Sequence, residues 1–112
     1  MIVKLHEQAR LDIKRGVAFY DEQSVGLGSY FQTMVIAAID SLQFFPALHP
    51  VIRGYRRMLV DKFPFAVYYK IYKDKVIVFS VFDTRMNPDT INSQLDSLCL
   101  VTFDENHTTV RP

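Results

Sequence analysis

Apolar residues return at Ala9, Ile13, Val17 and Tyr20 across "EQARLDIKRGVAFYDEQ", close to the period of a helix with one buried face. A second stripe follows at Leu27, Phe31, Val35, Ala38, Leu42 and Phe45, and Pro46 is placed to end it. "SVGLG" separates the two, with Gly26 and Gly28 offering left-handed backbone, so the helices are expected to be antiparallel neighbours. Elsewhere the period is two. Ile2 to Leu5 is a short β-favouring start, and "VIRGYRRMLV" reads as one strand in which Tyr55, Arg57 and Leu59 oppose Arg56, Met58 and Val60. After a turn at Asp61 to Pro64, Phe65 to Tyr72 and Val76 to Phe82 form a hairpin around "KDK". Val67, Tyr69 and Ile71 mark its core face, and Ala66, Tyr68, Lys70 and Tyr72 the face expected to be exposed. Pro88 stops the last strand, and "PDTINSQLDSL" predicts a short helix with Asp89 near its positive end. "CLVTF" is compatible with an added strand, and "DENHTTVRP" reads as a mobile tail.

The elements make an α+β fold: an N-terminal strand and an antiparallel helical hairpin packed on a twisted, mainly antiparallel sheet, with a short C-terminal helix or extension. A chain of 112 residues supports one core and no second domain, divided here into a domain over 1–97 and an extension over 98–112. No apolar run approaches the roughly 18 residues of a membrane span, and the start lacks a basic segment followed by an apolar one, so a cytoplasmic protein is expected. Cys99 is the only cysteine, which excludes an internal disulfide and reads as core filler. His6, His49 and His107 have no ligand spacing, so neither metal nor cofactor is expected. Charge is unevenly spread: residues 53–75 hold seven basic and two acidic side chains, +5 locally within a net +1, leaving −4 elsewhere. Such a segment can attract phosphate or an acidic partner, or simply solvate the outside of a sheet.

Several stretches, taken in order, resemble the RelE/ParE toxin superfamily. "FYDEQSVGLGSYFQTMVIAAIDSLQFFPALHP" is similar to that family's Tyr at the end of the first helix, Gly-Leu-Gly connection, early Phe in the second helix and closing Pro. "GYRRMLVDKFPFAVYYKI" resembles its Arg-rich strand followed by Phe-Pro-aromatic and a tyrosine-bearing strand, and "VFDTRMNP" its closing strand. The match covers about Ile2 to Leu95. It implies the toxin of a type II toxin-antitoxin module, of the plasmid-stabilisation type, neutralised by a cognate protein antitoxin. Gyrase or the ribosome and its mRNA are the implied targets, growth inhibition the outcome, and a homodimer or toxin-antitoxin hetero-oligomer the implied assembly, with no membrane partner.

The family holds gyrase inhibitors and metal-independent mRNA endonucleases, and the residues bear on the choice. Cleaving RNA without metal requires cations around the phosphate and a proton donor to the leaving oxygen. Arg56, Arg57 and Arg85 fit the cationic role, and Tyr68 or Tyr72 could donate. Yet the position after Phe65, where the endonucleases commonly carry an arginine, is Ala66; no tyrosine follows Arg85 in "MNPDTINSQL"; and Asp83 replaces the histidine often found before the closing arginine. The reading is therefore a toxin that binds a target, with Arg56, Lys62, Tyr72 and Arg85 as candidates for target or antitoxin contact. The alternatives are an endonuclease with a rearranged site, its catalytic candidates Arg56, Arg57, Arg85 and Tyr68, and a non-toxic relative keeping fold and partner binding. Arg56 and Arg85 could equally be internal partners of Asp83 and Asp61.

Overall fold

A computed structural model describes residues 1–100, with only the helical backbone given for Cys99 and Leu100. It contains β1 (Ile2–Leu5), α1 (Glu7–Gln23), α2 (Leu27–Ser41), β2 (Val51–Ile52), β3 (Tyr55–Leu59), β4 (Phe65–Tyr72), β5 (Lys75–Asp83) and α3 (Pro88–Leu100). The strands form one sheet in the order β1-β5-β4-β3-β2, antiparallel except that β1 lies parallel to β5. The α+β class and the helical hairpin on the sheet are as the periodicity predicts.

Helix α1 starts where the His6 ring accepts the Gln8 amide (3.0 Å), satisfying one of the donors that a helix start leaves open. Its buried residues, Ala9, Ile13, Gly16 and Tyr20, face those of α2, Gly28, Phe31, Val35 and Ile39. Gly26 takes the expected left-handed conformation (φ 89°) ahead of α2, but Gly28 is helical and serves another purpose. A Cβ on Gly28 would stand 2.4 Å from the Val17 carbonyl, so its hydrogen is what lets the two helices approach. The Gly28 amide is also bound by Asp21 (2.7 Å).

Helix α2 ends at Ser41, earlier than its apolar stripe predicts, and Phe45 stands 62% exposed outside it. The Leu42 amide tightens to the Ile39 carbonyl and the Ser41 hydroxyl turns back to the Ala38 carbonyl, which unwinds the helix before Pro46 excludes Phe45 from it. The strand expected over "VIRGYRRMLV" is instead a hairpin. Arg53 (φ 53°) and Gly54 (φ 85°) form a two-residue turn between β2 and β3, left-handed at both positions as the twist of flanking strands favours.

The larger core lies between the helical hairpin and one face of the sheet, around Phe31, Val35, Leu42, Val67, Tyr69 and Val78. A smaller one occupies the opposite face. There Ile91 and Leu95 of α3 cover Tyr55, Ala66, Tyr68, Phe79 and Phe82, so the hairpin face expected to be exposed is half roofed. Helix α3 is capped by Asn87, whose side chain accepts the Asp89 amide (2.8 Å), with Pro88 at its first turn; β5 had already ended at Asp83. The Tyr55 hydroxyl donates to the Leu95 carbonyl (3.0 Å) and Arg53 pairs with Asp96 (2.6 Å), tying α3 down. The helix includes Cys99 and Leu100, where an added strand was expected to begin; 101–112, with His107, lie outside the described residues.

Candidate functional site

The candidate residues fall at three places in the sheet. Arg85 sits just past β5, beside the end of β4, where Phe65 pairs with Asp83 and the Thr84 amide donates to the Pro64 carbonyl (2.8 Å). Lys62, in the β3-β4 turn with a left-handed backbone (φ 72°), belongs to the same end. Arg56 lies in the register Arg56↔Tyr69↔Val78, two strands from β5 and several residues further along. At ~3.3 Å per residue and ~4.8 Å per strand its backbone is roughly 15–20 Å from that of Arg85. Tyr72 pairs with Lys75 at the opposite end. Of the four contact candidates, Lys62 and Arg85 share one end of the sheet, and Arg56 and Tyr72 do not.

Each guanidinium has a distinct environment. Arg85 forms a two-pronged pair with Asp83, through Nε (3.0 Å) and Nη2 (2.8 Å), while its backbone amide binds the same carboxylate (2.8 Å). The hydrogen bond from Arg85 is the main reason the Asp83 carboxyl is held below its ordinary range. Arg85 also reaches the phenol of Tyr20, whose own acidity is weakened mainly by burial. That end of the molecule is lined with stacked rings, Tyr20 against Phe31 (5.1 Å) and Phe63 (4.9 Å), and Tyr30 against Phe63 (5.3 Å). Of the internal partners considered for Arg85, Asp83 is the one used.

Arg56 points to the helix side and donates from Nη1 to the carbonyls of His49 (2.8 Å) and Ala47 (3.3 Å), fastening the loop between α2 and β2. Asp61 is not its partner in either bond. Beside it the Tyr69 hydroxyl donates to the Pro46 carbonyl (2.6 Å), so the 2.9 Å contact with His49 Nδ1 requires the imidazole to donate. Burial, aided by the Arg56 charge, lowers the His49 pKa and fits that neutral ring. Alternation along β3 sends Arg57 to the α3 side, opposite Tyr68. Its Nε is buried without a hydrogen-bond partner among the described residues. Tyr68 is 4% exposed and packs in the cluster that α3 covers.

Two features of this end of the molecule were not read from the sequence. Asp12 of α1 accepts from Gln8 Nε2 (2.8 Å), Ser80 Oγ (2.6 Å) and the Val81 amide (3.0 Å), at the point where β5 carries a bulge opposite Tyr68 and Tyr69. It binds a backbone amide on the edge of β5 beyond Val78, where pairing with β1 has ended. Burial raises its pKa, with the three hydrogen bonds acting against that rise. Asp12 and Arg15 also line a cavity of about 240 Å³ together with Phe19, Phe65, Phe82 and Met86. The available signal was Phe19, an aromatic residue off the apolar stripe of α1 and 49% exposed.

No family model matches the sequence, and no curated protein matches it. Among solved structures, the fold is similar to a chain of the chromosomal ParDE TA system from P. aeruginosa, with a TM-score of 0.68 at 15% identity over 74% of this chain and 95% of that one. The likeness establishes a shared fold. Among the described residues, no helix is long and apolar enough to cross a membrane.

Proposed function

We propose that this chain is the toxin of a two-protein toxin-antitoxin module, neutralised by a cognate protein antitoxin and acting in the cytoplasm by binding a target such as DNA gyrase. The observation carrying this reading is the fold it shares with nearly the whole of a ParDE chain. Binding is favoured over RNA cleavage by the dispersion of the cations and the burial of Tyr68. Arg85 is neutralised by Asp83, and Arg56 is spent on loop carbonyls. One observation favours the second reading, a ribosome-dependent mRNA endonuclease: the unpartnered Arg57 Nε lies on the strand facing Tyr68, where a phosphate would give it an acceptor.

The test is expression of this chain alone and together with a candidate antitoxin, the product of any short reading frame found next to its own. Slowed growth that the second protein reverses is the expected result, with loss of supercoiling by purified gyrase and intact mRNA on translating ribosomes. Cut mRNA would replace the binding reading by the endonuclease one. Normal growth at verified soluble expression would leave a relative with the fold but no toxicity.

A further inference from the structure

Between Asp40 and Arg53 the chain runs through "SLQFFPALHPVI" without a carboxylate, lysine or arginine. Helix α2 ends inside this stretch, and the loop that follows turns its large apolar side chains outward: Phe44 is 70% exposed, Phe45 62% and Leu48 74%. The three belong together. The rings of Phe44 and Phe45 lie 6.4 Å apart, and a turn closed by the Leu48 amide on the Phe45 carbonyl (3.5 Å) brings Leu48 back beside them. Val51, also exposed, pairs with Arg56 and so shares that residue's side of the sheet, the side on which Arg56 reaches the loop.

The backbone beneath these side chains is tied at four carbonyls. The Met1 ammonium donates to Gln43 (3.1 Å), the Tyr69 hydroxyl to Pro46 (2.6 Å), and Arg56 to Ala47 (3.3 Å) and His49 (2.8 Å). Groups presented on a fixed backbone lose little freedom on contact, the condition under which a few large apolar side chains dominate an interface. At ~150–250 Å² for a whole aromatic side chain, the exposed parts of Phe44, Phe45, Leu48 and Val51 amount to ~400 Å² per copy. Two such faces, with a rim of exposed Gln43, Ala47 and Pro50, reach the ~1,000 Å² that a specific contact needs. Charge selects the occupant. An anionic membrane surface is met by basic side chains set among the apolar ones, and a charged protein segment by countercharges. This stretch has neither, and the two cations next to it, the Met1 ammonium and Arg56, are turned to loop carbonyls. An uncharged apolar surface is complementary to itself, and a two-fold contact asks only for self-complementarity.

We propose that this loop is the contact face of a symmetric dimer, in which Phe44, Phe45 and Leu48 of one copy pack on those of a second. The inference does not depend on the partner reading above. The length of α2, ~22 Å for its fifteen residues, separates the face from the Phe63 end of the molecule, so Lys62 and Arg85 stay exposed in such a dimer. Sedimentation equilibrium of the full chain over a roughly hundredfold range of concentration tests it. Phe44→Asp and Leu48→Asp are the face variants, and Val25→Asp, at a fully solvated position between α1 and α2, is the control. The parent mass is expected to rise from one chain toward two, with association weakened at least about tenfold in the face variants, as for loss of an interface anchor, and unchanged in the control. Unfolding midpoints give a second readout: the parent's should climb with protein concentration and those of the face variants should not. If an aspartate variant unfolds below the parent even at the lowest concentration, Phe44→Ser and Leu48→Ser carry the same comparison. A parent that stays monomeric throughout overturns the proposal, and so does a dimer that the face variants leave intact. Flotation of a monomeric parent with phosphatidylglycerol vesicles, lost in the face variants, would make the occupant a membrane and the proposal wrong.

Discussion

Removing the Asp12 carboxylate tests how α1 holds the irregular strand β5. In Asp12→Ala the Val81 amide and the hydroxyl of fully buried Ser80 lose their acceptor, and Gln8 loses a partner that solvent can replace. A buried donor left unmade costs about 1–3 kcal/mol; the hydroxyl can rotate and the amide cannot, so we expect a net loss of about 2–4 kcal/mol. Asp12→Asn separates hydrogen bonding from charge. Its oxygen can still accept from Ser80 and Val81, and its amide can donate to Gln8 once that side chain turns over, so it should lie within about 1 kcal/mol of the parent at pH 7. The pH dependence has a definite sign. Because burial raises the Asp12 pKa, the folded state holds the proton more tightly than the unfolded one. The contribution of Asp12 is therefore fully present below the ordinary carboxylate value near 4 and is lost as pH rises through the raised folded value. Urea unfolding should show Asp12→Asn gaining on the parent between pH 4 and pH 7. An Asp12→Ala protein within about 0.5 kcal/mol of the parent would refute the role given to this carboxylate.

Phe31→Ala and Leu42→Ala, both at fully buried positions, should each cost about 2–5 kcal/mol in chemical denaturation; unchanged midpoints would show that the helical hairpin does not supply the core. Gly16→Ala places a Cβ 2.5 Å from the Phe31 ring, so overpacking of about 1–3 kcal/mol should exceed the helix-propensity gain of up to about 1 kcal/mol, and a more stable variant would contradict the packing. Tyr69→Phe removes the hydroxyl between His49 and Pro46 and should lower stability by about 1–2 kcal/mol, read from the same denaturation curves. Arg85→Ala should lower the unfolding midpoint slightly at neutral pH, where the exposed pair with Asp83 is formed. Arg85 depresses the Asp83 pKa, a contribution present above the ordinary carboxylate value and lost as pH falls through the folded one, so variant and parent should converge in acid. Undiminished toxicity and antitoxin affinity in that variant would remove Arg85 from the working surface.

Periodicity was enough for the helices and for β4 and β5, because each buries a face whose spacing shows in the order of residues. It failed where geometry depends on what packs from elsewhere. Ile91, Leu95 and Leu98 carry a helical spacing in plain view, yet nothing local says that they lie over Ala66 and Tyr68 rather than under a loop. The turn at Arg53 and Gly54 was hidden because an arginine holds a left-handed conformation where asparagine or glycine is the usual signal. The candidate cations illustrate a different difficulty. Chain order does not say how far Arg56 lies from Arg85, and the register Arg56↔Tyr69↔Val78 sets them apart. Asp12 left no trace at all, since an acidic residue beside an apolar stripe looks like ordinary helix surface until the open edge of β5 beyond Val78 is known.

The parallel pairing of β1 with β5 also governs when this protein can exist during its own synthesis. Ile2 aligns with Lys75, so β1 leaves the ribosome about 70 residues before the strand whose edge it joins. Closing so long a loop is slow compared with forming the α1-α2 hairpin, which needs only neighbours in the chain. Until β5 emerges, the nascent chain carries an unpaired opening strand and an incomplete core. A chain truncated within the β4-β5 turn would contain both long helices and most of the charged residues of the 53–75 segment, and still lack the strand that makes them one molecule.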